Sequence, residues 1–173
     1  MHQVSAQRHC CEFDIDFCLY TVYIYNPSFE HPIILADSPG CPSYWLEGNN
    51  AILVKSQSDN YGGVVAADGN QMLVLFGSIM QPVLFTPGLT YLLTISAATC
   101  VIAPGCYYGI DDRYSLVVSV GSARLVVDQP IRYTTMATYS LRFVANNFSQ
   151  YITIQGYSVL LDSLSVQRGN SIT

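Results

Sequence analysis

The side chains best suited to chemistry with a ligand are concentrated in one turn-rich segment, "CYYGIDDRY", at residues 106–114. The segment places two neighbouring aromatic rings beside two carboxylates and a guanidinium group. Aromatic faces cover apolar surfaces and the charged groups bond to hydroxyl groups, so this mixture predicts recognition of a sugar-like ligand. With thirteen tyrosines in the chain, an ordinary solvated loop is the alternative interpretation. The candidate ligand-binding residues, including two tyrosines from other turn-rich segments, are Tyr61, Tyr107, Tyr108, Asp111, Asp112, Arg113 and Tyr133.

The sequence contains no recognisable catalytic motif. All three histidines lie within the first 31 residues, and there is no nucleophile elbow, phosphate-binding loop or metalloprotease motif. Glycoside hydrolysis needs two carboxyl groups several ångströms apart, one of them with a raised pKa. Asp111 and Asp112 are adjacent, so in a strand their side chains would face opposite ways. The sequence therefore predicts a protein that is not an enzyme, with a weakly active glycosidase as the catalytic alternative.

Six cysteines are spread unevenly along the chain, and their even number alone does not establish a disulfide framework. Cys100 and Cys106 enclose a Pro-Gly turn in "CVIAPGC", which places their backbones within the range of a disulfide. The histidines and cysteines of the first eleven residues are zinc-binding types, but they lack the spacing of zinc sites. One disulfide candidate and no zinc site follow from these patterns.

The amino-acid composition argues against two kinds of interaction, nucleic-acid binding and membrane insertion. Charged residues make up only 11% of the chain, against roughly 25% in typical soluble domains. Seven Lys and Arg residues stand against twelve Asp and Glu residues, a net charge of -5 without any basic cluster. Nucleic acid is therefore not an expected partner, because binding to a phosphate backbone depends on Lys and Arg. No apolar run reaches the roughly 18 to 20 residues that span a bilayer, so membrane insertion is not expected either.

Residues 1–18 differ from the rest of the chain. They are polar, contain three cysteines and show no clear periodicity, which predicts an N-terminal extension or arm that packs on a neighbouring subunit or on the end of the domain. Acidic residues occupy the place of the apolar stretch of a signal peptide, so no signal peptide is recognisable. Together with the low charge, the arm favours a location outside the cell or on a virion surface, and self-association through residues 1–18.

From residue 19 onward the chain alternates short β-type runs with Gly, Pro, Asn and Asp. About ten runs read as strands, among them "GGVVAA" at residues 62–67. Asp68, Gly69 and Asn70 predict a hairpin turn between two strands, and the apolar run 71–76 predicts a strand that is covered on both faces. Residues 19–173 are therefore predicted to form one all-β domain, a two-sheet antiparallel β-sandwich with jelly-roll topology.

Asp162 is the most informative acidic residue. In "LLDSLSVQ" it shares strand parity with Leu160, Leu164 and Val166, so its side chain should point towards the core. A buried carboxylate needs a partner. Hydrogen bonds from the backbone or an arginine would serve, and a bulge after Leu161 would instead turn the side chain to solvent.

The order of motifs resembles one superfamily. "NPSFE" at 26–30, "CPSYWLEG" at 41–48, "AADGNQMLVL", "PGLTYLLTISA" and "GYSVLLDSLSV" follow one another as in the galactose-binding-like jelly rolls of carbohydrate-binding modules. The resemblance covers residues 20–168, and each motif alone is weak. It implies that Trp45 is a core anchor, and it implies a structural calcium ion held by Glu30 and Asp162, since calcium prefers oxygen ligands.

The function that the resemblance implies is non-catalytic carbohydrate binding at an exposed surface, with glycans or polysaccharide as partners. The sequence itself supports an alternative, a structural subunit of a virion or surface assembly of the phage decoration or tail type, which would use the jelly roll as a scaffold. Fold alone does not decide between them.

Overall fold

The computed structural model describes residues 22–100, 104, 106, 115–127 and 135–169. Within these ranges the chain forms nine strands and one short 3-10 turn at Asp59–Tyr61. The strands are β1 (Ser38–Pro39), β2 (Leu46–Lys55), β3 (Gln71–Leu84), β4 (Thr90–Thr99), β5 (Leu116–Val120), β6 (Ala123–Val127), β7 (Ala137–Val144), β8 (Ser149–Gly156) and β9 (Val159–Arg168). No helix in the described ranges is long and apolar enough to cross a membrane.

The strands form two layers that share one long strand, and all the pairs are antiparallel. β3 pairs with β2 along one edge, and along its other edge it pairs with β9 through residues 73–75 and then with β8 through residues 78–84. The first layer therefore runs β1-β2-β3-β9-β4-β7, and the second runs β3-β8-β5-β6. The predicted all-β antiparallel sandwich is confirmed.

The main core lies between the two layers and follows the alternation of side chains along each strand. Leu73, Leu75 and Ile79 of β3 all point into it and have no exposed surface. Trp45 is 5% exposed and packs against the buried ring of Phe29, with ring centroids 5.6 Å apart. The indole is thus part of the core, where the resemblance placed it.

A second apolar cluster covers the outer face of the first layer. Val54, Met72, Val74, Ala98 and Leu160 supply the strand side of this cluster. The connection between β2 and β3 covers them with two further buried side chains, Tyr61 and Val64. Apolar residues therefore lie on both sides of this part of β3, and every residue from 71 to 75 is buried.

The predicted strand "GGVVAA" is wrong, because this segment belongs to the connection between β2 and β3. Gly62 and Gly63 have φ angles of 82° and 65°, which are left-handed and incompatible with an extended strand. The turn at residues 68–70 consequently ends a covering loop and leads into β3, whereas the sequence predicted that it joins two strands.

A disulfide fixes the chain where it leaves β4. Cys100 and Cys106 are bonded, with Cα atoms 5.5 Å apart, and both are buried in the second cluster. The predicted arm at residues 1–18 lies outside the described residues.

We expect replacement of both bonded cysteines, Cys100→Ala with Cys106→Ala, to lower the free energy of unfolding by about 2 kcal/mol, the value for a closed loop of this short length. Urea denaturation would measure the loss. A reducing agent should destabilise the wild-type protein by a similar amount and leave the double variant unchanged. Equal sensitivity of both proteins to the reducing agent would contradict the expectation.

Candidate functional site

A pocket of about 350 Å³ opens on the outer face of the second layer, where β3, β5 and the β8–β9 turn meet. Its aromatic walls are Phe76 and Tyr157, whose rings meet edge to face at 84° with centroids 6.1 Å apart. The pocket is also lined by Ser78, Ser115, Val117 and Gln155. The combination of aromatic walls with a few hydroxyl and amide groups is typical of sites for small molecules.

The walls are positioned by the point at which the two layers separate. β3 changes its partner from β9 to β8 between residues 75 and 78, which places Phe76 at the boundary. The turn from β8 to β9 also crosses between the layers, and Ser158 in it has a left-handed φ of 54°. Its carbonyl accepts a hydrogen bond from the Cys100 amide at 2.9 Å. The amide of Tyr157 donates to the Ser115 carbonyl at 3.3 Å, so both sides of the pocket are joined.

Five of the seven predicted ligand-binding residues come shortly before the pocket residue Ser115 in the sequence. Tyr107, Tyr108, Asp111, Asp112 and Arg113 precede the pocket residue Ser115 in the sequence and lie outside the described residues, as does Tyr133.

Tyr61 lies apart from the pocket. It is 8% exposed within the second cluster, where burial, and to a smaller extent the charge of Asp37, raises the pKa of its hydroxyl group. Little of its ring is therefore left for contact with a ligand.

Asp162 is fully buried on the outer face of β9, beneath the β2–β3 connection. Its Oδ2 accepts the amide of Asp68 at 2.8 Å, and its Oδ1 accepts the amide of Ser163 at 2.7 Å. Burial raises the pKa of this carboxyl to about 6 in spite of these bonds, which lower it. A bulge at Ser163, with a φ of 48°, separates Asp162 from the parity of Leu164 without exposing it.

Glu30 holds the other end of the same turn. Its Oε1 accepts the amides of Asn70 at 3.0 Å and of Gln71 at 2.9 Å. Gly69 lies so close that a Cβ atom there would overlap the Glu30 carboxylate. The two predicted calcium ligands, Glu30 and Asp162, thus bind opposite ends of residues 68–71 through backbone amides.

Backbone amides donate to both carboxylate oxygens of Asp162, but only to Oε1 of Glu30. The described parts of the chain contain no group of three or more acidic, histidine or cysteine side chains placed to hold a metal ion. A calcium ion would need further oxygen ligands from the backbone.

We expect the buried Asp162 to make stability depend on pH. Its folded-state pKa of about 6 lies above the ordinary value of 3.8, so the folded protein binds this proton more tightly than the unfolded chain. The stability contributed by the protonated group is complete below about pH 4 and is lost as the pH rises to about 6. Denaturant titrations from pH 4 to 7 in the presence of a chelator would measure this loss. Asp162→Asn should flatten that part of the profile, and an unchanged profile would contradict the pKa assignment.

The pocket residues Phe76, Ser78, Gln155 and Tyr157 were not predicted from the sequence. Phe76 ends the apolar run that the sequence assigns to the scaffold, and Tyr157 precedes the last strand. The only local signal is the pair of glycines, Gly77 and Gly156, beside the two aromatic walls. Their spatial proximity depends on the pairing of β3 with β8, which no local pattern encodes.

No protein-family model and no curated protein matches the sequence. Solved structures do match. A cyclase from Fischerella sp. TAU in complex with 4-(1H-indol-3-yl)butan-2-one has 16% sequence identity and a TM-score of 0.66, over 88% of this chain and 99% of that chain. A Stig cyclase, Fisc, from the same organism has 18% identity and a TM-score of 0.62, over 86% and 97%.

A carbohydrate-binding module, TmCBM61 in complex with beta-1,4-galactotriose, has 15% identity and a TM-score of 0.50, over 85% of this chain and 98% of that chain. At these identities the likeness shows the fold, a jelly roll that the cyclases and carbohydrate-binding modules share.

The comparisons correct two predictions from the sequence, that the chain is a non-catalytic carbohydrate-binding module and that it is not an enzyme. Four structures with TM-scores of 0.62 to 0.66 are cyclases, and the module reaches 0.50. The sequence motifs misled the prediction of function because they form turns, strand ends and core anchors. Enzymes and binding modules built on one scaffold need these features equally.

Proposed function

We propose that this protein is a cyclase-like enzyme that binds a flat, largely apolar aromatic small molecule against the exposed surfaces of the Phe76 and Tyr157 rings. The observation that carries the proposal is the aromatic-walled pocket on the outer face of the second layer. The fold is similar to that of cyclases, two of which are in complex with indole-containing ligands, and this similarity supports the choice of ligand class.

The described lining residues would bind and orient the ligand. The rings of Phe76 and Tyr157 offer faces and edges to an aromatic ligand. Ser78, Ser115 and Gln155 offer hydroxyl and amide groups to a polar substituent.

The reaction that we propose is a proton-initiated cyclisation, in which a nucleophilic ring carbon adds to a protonated alkene or imine of the same molecule. The acid gives one proton, the new carbon–carbon bond forms, and the ring loses one proton, so the product is an isomer of the substrate. The described lining residues include no carboxyl or imidazole group. We assign the proton donor to Asp111 or Asp112, the two acids that precede Ser115 by four and three positions, and ligand contacts to Tyr107, Tyr108, Arg113 and Tyr133.

The binding step is testable with 4-(1H-indol-3-yl)butan-2-one as the probe, by saturation-transfer NMR on the full chain. We expect saturable binding that Tyr157→Ala weakens about tenfold, the loss of one aromatic wall being worth about 1.4 kcal/mol. Tyr157→Phe should retain affinity because it keeps the ring. Tyr151→Ala is the matched control, since Tyr151 is half exposed on the same face of β8 and does not line the pocket.

Turnover is tested separately with an indole that carries an unsaturated side chain. The expected product has an unchanged mass and a new retention time, and either Asp111→Asn or Asp112→Asn should abolish its formation without changing affinity for the probe. Binding without any isomeric product would reject the enzyme proposal. Absence of probe binding would reject the pocket.

A glycan is the second candidate ligand. The hydroxyl and amide groups beside the aromatic walls favour it, and a carbohydrate-binding module shares the fold. Beta-1,4-galactotriose in the same NMR assay separates the two ligand classes. Competition between the trisaccharide and the indole probe would place both in this pocket.

We keep a structural calcium ion at Glu30 and Asp162 as a proposal, with backbone carbonyl groups completing its shell. Calcium that binds only the folded protein must raise its melting temperature. A melting temperature that neither calcium nor a chelator changes would remove this proposal.

A further inference from the structure

A second pocket, of about 500 Å³, lies at the end of the first layer beside the turn at residues 68–71. One wall is the segment before β1, with Glu30, Ile33 and Ile34. Lys55 at the end of β2 also lines the pocket, next to its cross-strand partner Gln71, and so does Asn70. The pocket combines one anion, one cation and an aliphatic surface, and it shares no lining residue with the aromatic pocket.

The wall that carries Glu30 is held rigidly. The buried side-chain amide of Gln71 donates through Nε2 to the carbonyls of Phe29 at 2.6 Å and Pro32 at 2.9 Å. Its Oε1 accepts a hydrogen bond from the backbone amide of Ile34 at 3.2 Å. These bonds fix the segment on both sides of Glu30. The position of the carboxylate is therefore set before any ligand arrives.

Neither charged group of this pocket forms an ion pair with another described residue. Glu30 accepts backbone amides only through Oε1, and no hydrogen bond or ion pair joins its Oε2 to the described residues. The backbone amide of Lys55 donates to Asp37 at 3.0 Å, but the Lys55 ammonium group has no ion pair or hydrogen bond within the described part of the chain. One carboxylate oxygen and one ammonium group that line the same pocket thus have no partner among the residues that the structure describes.

The apolar surface between them defines the rest of the ligand. Ile33 is 76% exposed, and Ile34 beside it is half-buried. An isoleucine so exposed gains from contact with an aliphatic group. A ligand that satisfied the whole pocket would carry an ammonium group, a carboxylate and a short aliphatic chain.

We propose that this pocket binds a small zwitterion, an α-amino acid with an aliphatic side chain. Its ammonium group pairs with Glu30, its carboxylate pairs with Lys55, and its side chain packs on Ile33. The site is separate from the aromatic pocket, so the proposal stands whether or not the proposed cyclase activity is found.

The test uses three probes that differ by one charge: L-leucine, N-acetyl-L-leucine, which lacks the ammonium group, and L-leucinamide, which lacks the carboxylate. Binding to the full chain is followed by NMR titration at millimolar concentrations with a calcium chelator, because Glu30 is also the proposed calcium ligand. We expect saturable binding of leucine and at least about tenfold weaker binding of each derivative.

Two variants assign each charge to its partner. Glu30→Gln keeps an oxygen for the amides of Asn70 and Gln71, and we expect it to weaken leucine about tenfold while leaving N-acetyl-L-leucine unchanged. Lys55→Gln should weaken leucine similarly and leave L-leucinamide unchanged. Asp59→Asn and Arg142→Gln are matched controls, since they alter the net charge by the same amounts at exposed positions outside the pocket.

The titrations of the wild-type protein and the two variants can support or overturn the proposal. Loss of discrimination between leucine and the matching derivative in each variant supports the proposal. Absence of saturable leucine binding overturns it, and so does equal affinity of the wild-type protein for all three probes. Thermal denaturation of each variant confirms that the comparison is made between folded proteins.

Discussion

Asp162→Ala should lower the free energy of unfolding at pH 7 by about 2 to 3 kcal/mol. The substitution removes the acceptor for the amides of Asp68 and Ser163, and the side chain that it truncates has no exposed surface. Amides that lose their partner in a buried site cost about 1 to 3 kcal/mol each, and part of this cost is offset because the desolvated charge is also removed. Urea denaturation measures the change.

Asp59→Ala is the control for Asp162→Ala, because Asp59 is exposed in the 3-10 turn. Its effect should stay within about 0.5 kcal/mol. Asp162→Asn should fall between the two, since it retains one acceptor oxygen at the same volume. If Asp162→Ala proved as mild as Asp59→Ala, the β2–β3 connection would not depend on this carboxylate.

Gly69→Ala should be the other large loss, about 2 to 4 kcal/mol. Gly69 has a φ of 73°, where a residue with a Cβ atom costs about 1 to 2 kcal/mol. The added Cβ also overlaps the Glu30 carboxylate, which must move and release the amides of Asn70 and Gln71. Each released hydrogen bond costs about 1 kcal/mol. Thermal and urea unfolding give the two values independently.

Two further variants separate the backbone term from the overlap at Gly69. Gly63→Ala is the matched control, because Gly63 has a φ of 65° and nothing lies within 4 Å of the added Cβ atom. It should show the backbone cost alone. In a Glu30→Ala background, Gly69→Ala should cost about as much as Gly63→Ala, a coupling of about 1 to 2 kcal/mol. Additive effects of Gly69→Ala and Glu30→Ala would show that the carboxylate moves freely.

Much of the fold was predictable because side chains in several strands alternate between an inner and an outer face. "TYSLRFVAN" encodes an inner and an outer face, and β7 places Leu141 and Phe143 in the core with Arg142 outside. The same logic failed for "GGVVAA", where Val64 is buried because a loop folds over the sheet. The apolar side chains of residues 62–67 resemble those of a strand, but Gly62 and Gly63 adopt left-handed φ angles.

The candidate site was much less predictable. The side chain of Asp162 was expected to point towards the core on the same face as Leu160 and Leu164. It is fully buried, but it lies on the outer face with Leu160, and after the bulge at Ser163 Leu164 points into the main core. The aromatic pocket joins Phe76 of β3 with Tyr157 of the β8–β9 turn, and these residues are far apart in sequence. The predicted class of function was wrong for another reason. The motifs that build a jelly-roll scaffold do not encode what its pockets bind or catalyse.

The strand shared between the layers also determines how the protein opens. β3 provides hydrogen-bonding partners to β2, β9 and β8, so neither layer has a set of strands entirely its own. Detachment of β3 would break the pairing of both layers at once. The slowest amide hydrogen exchange in β8 and in β9 should therefore proceed through the same global opening, with one common protection limit for the two layers.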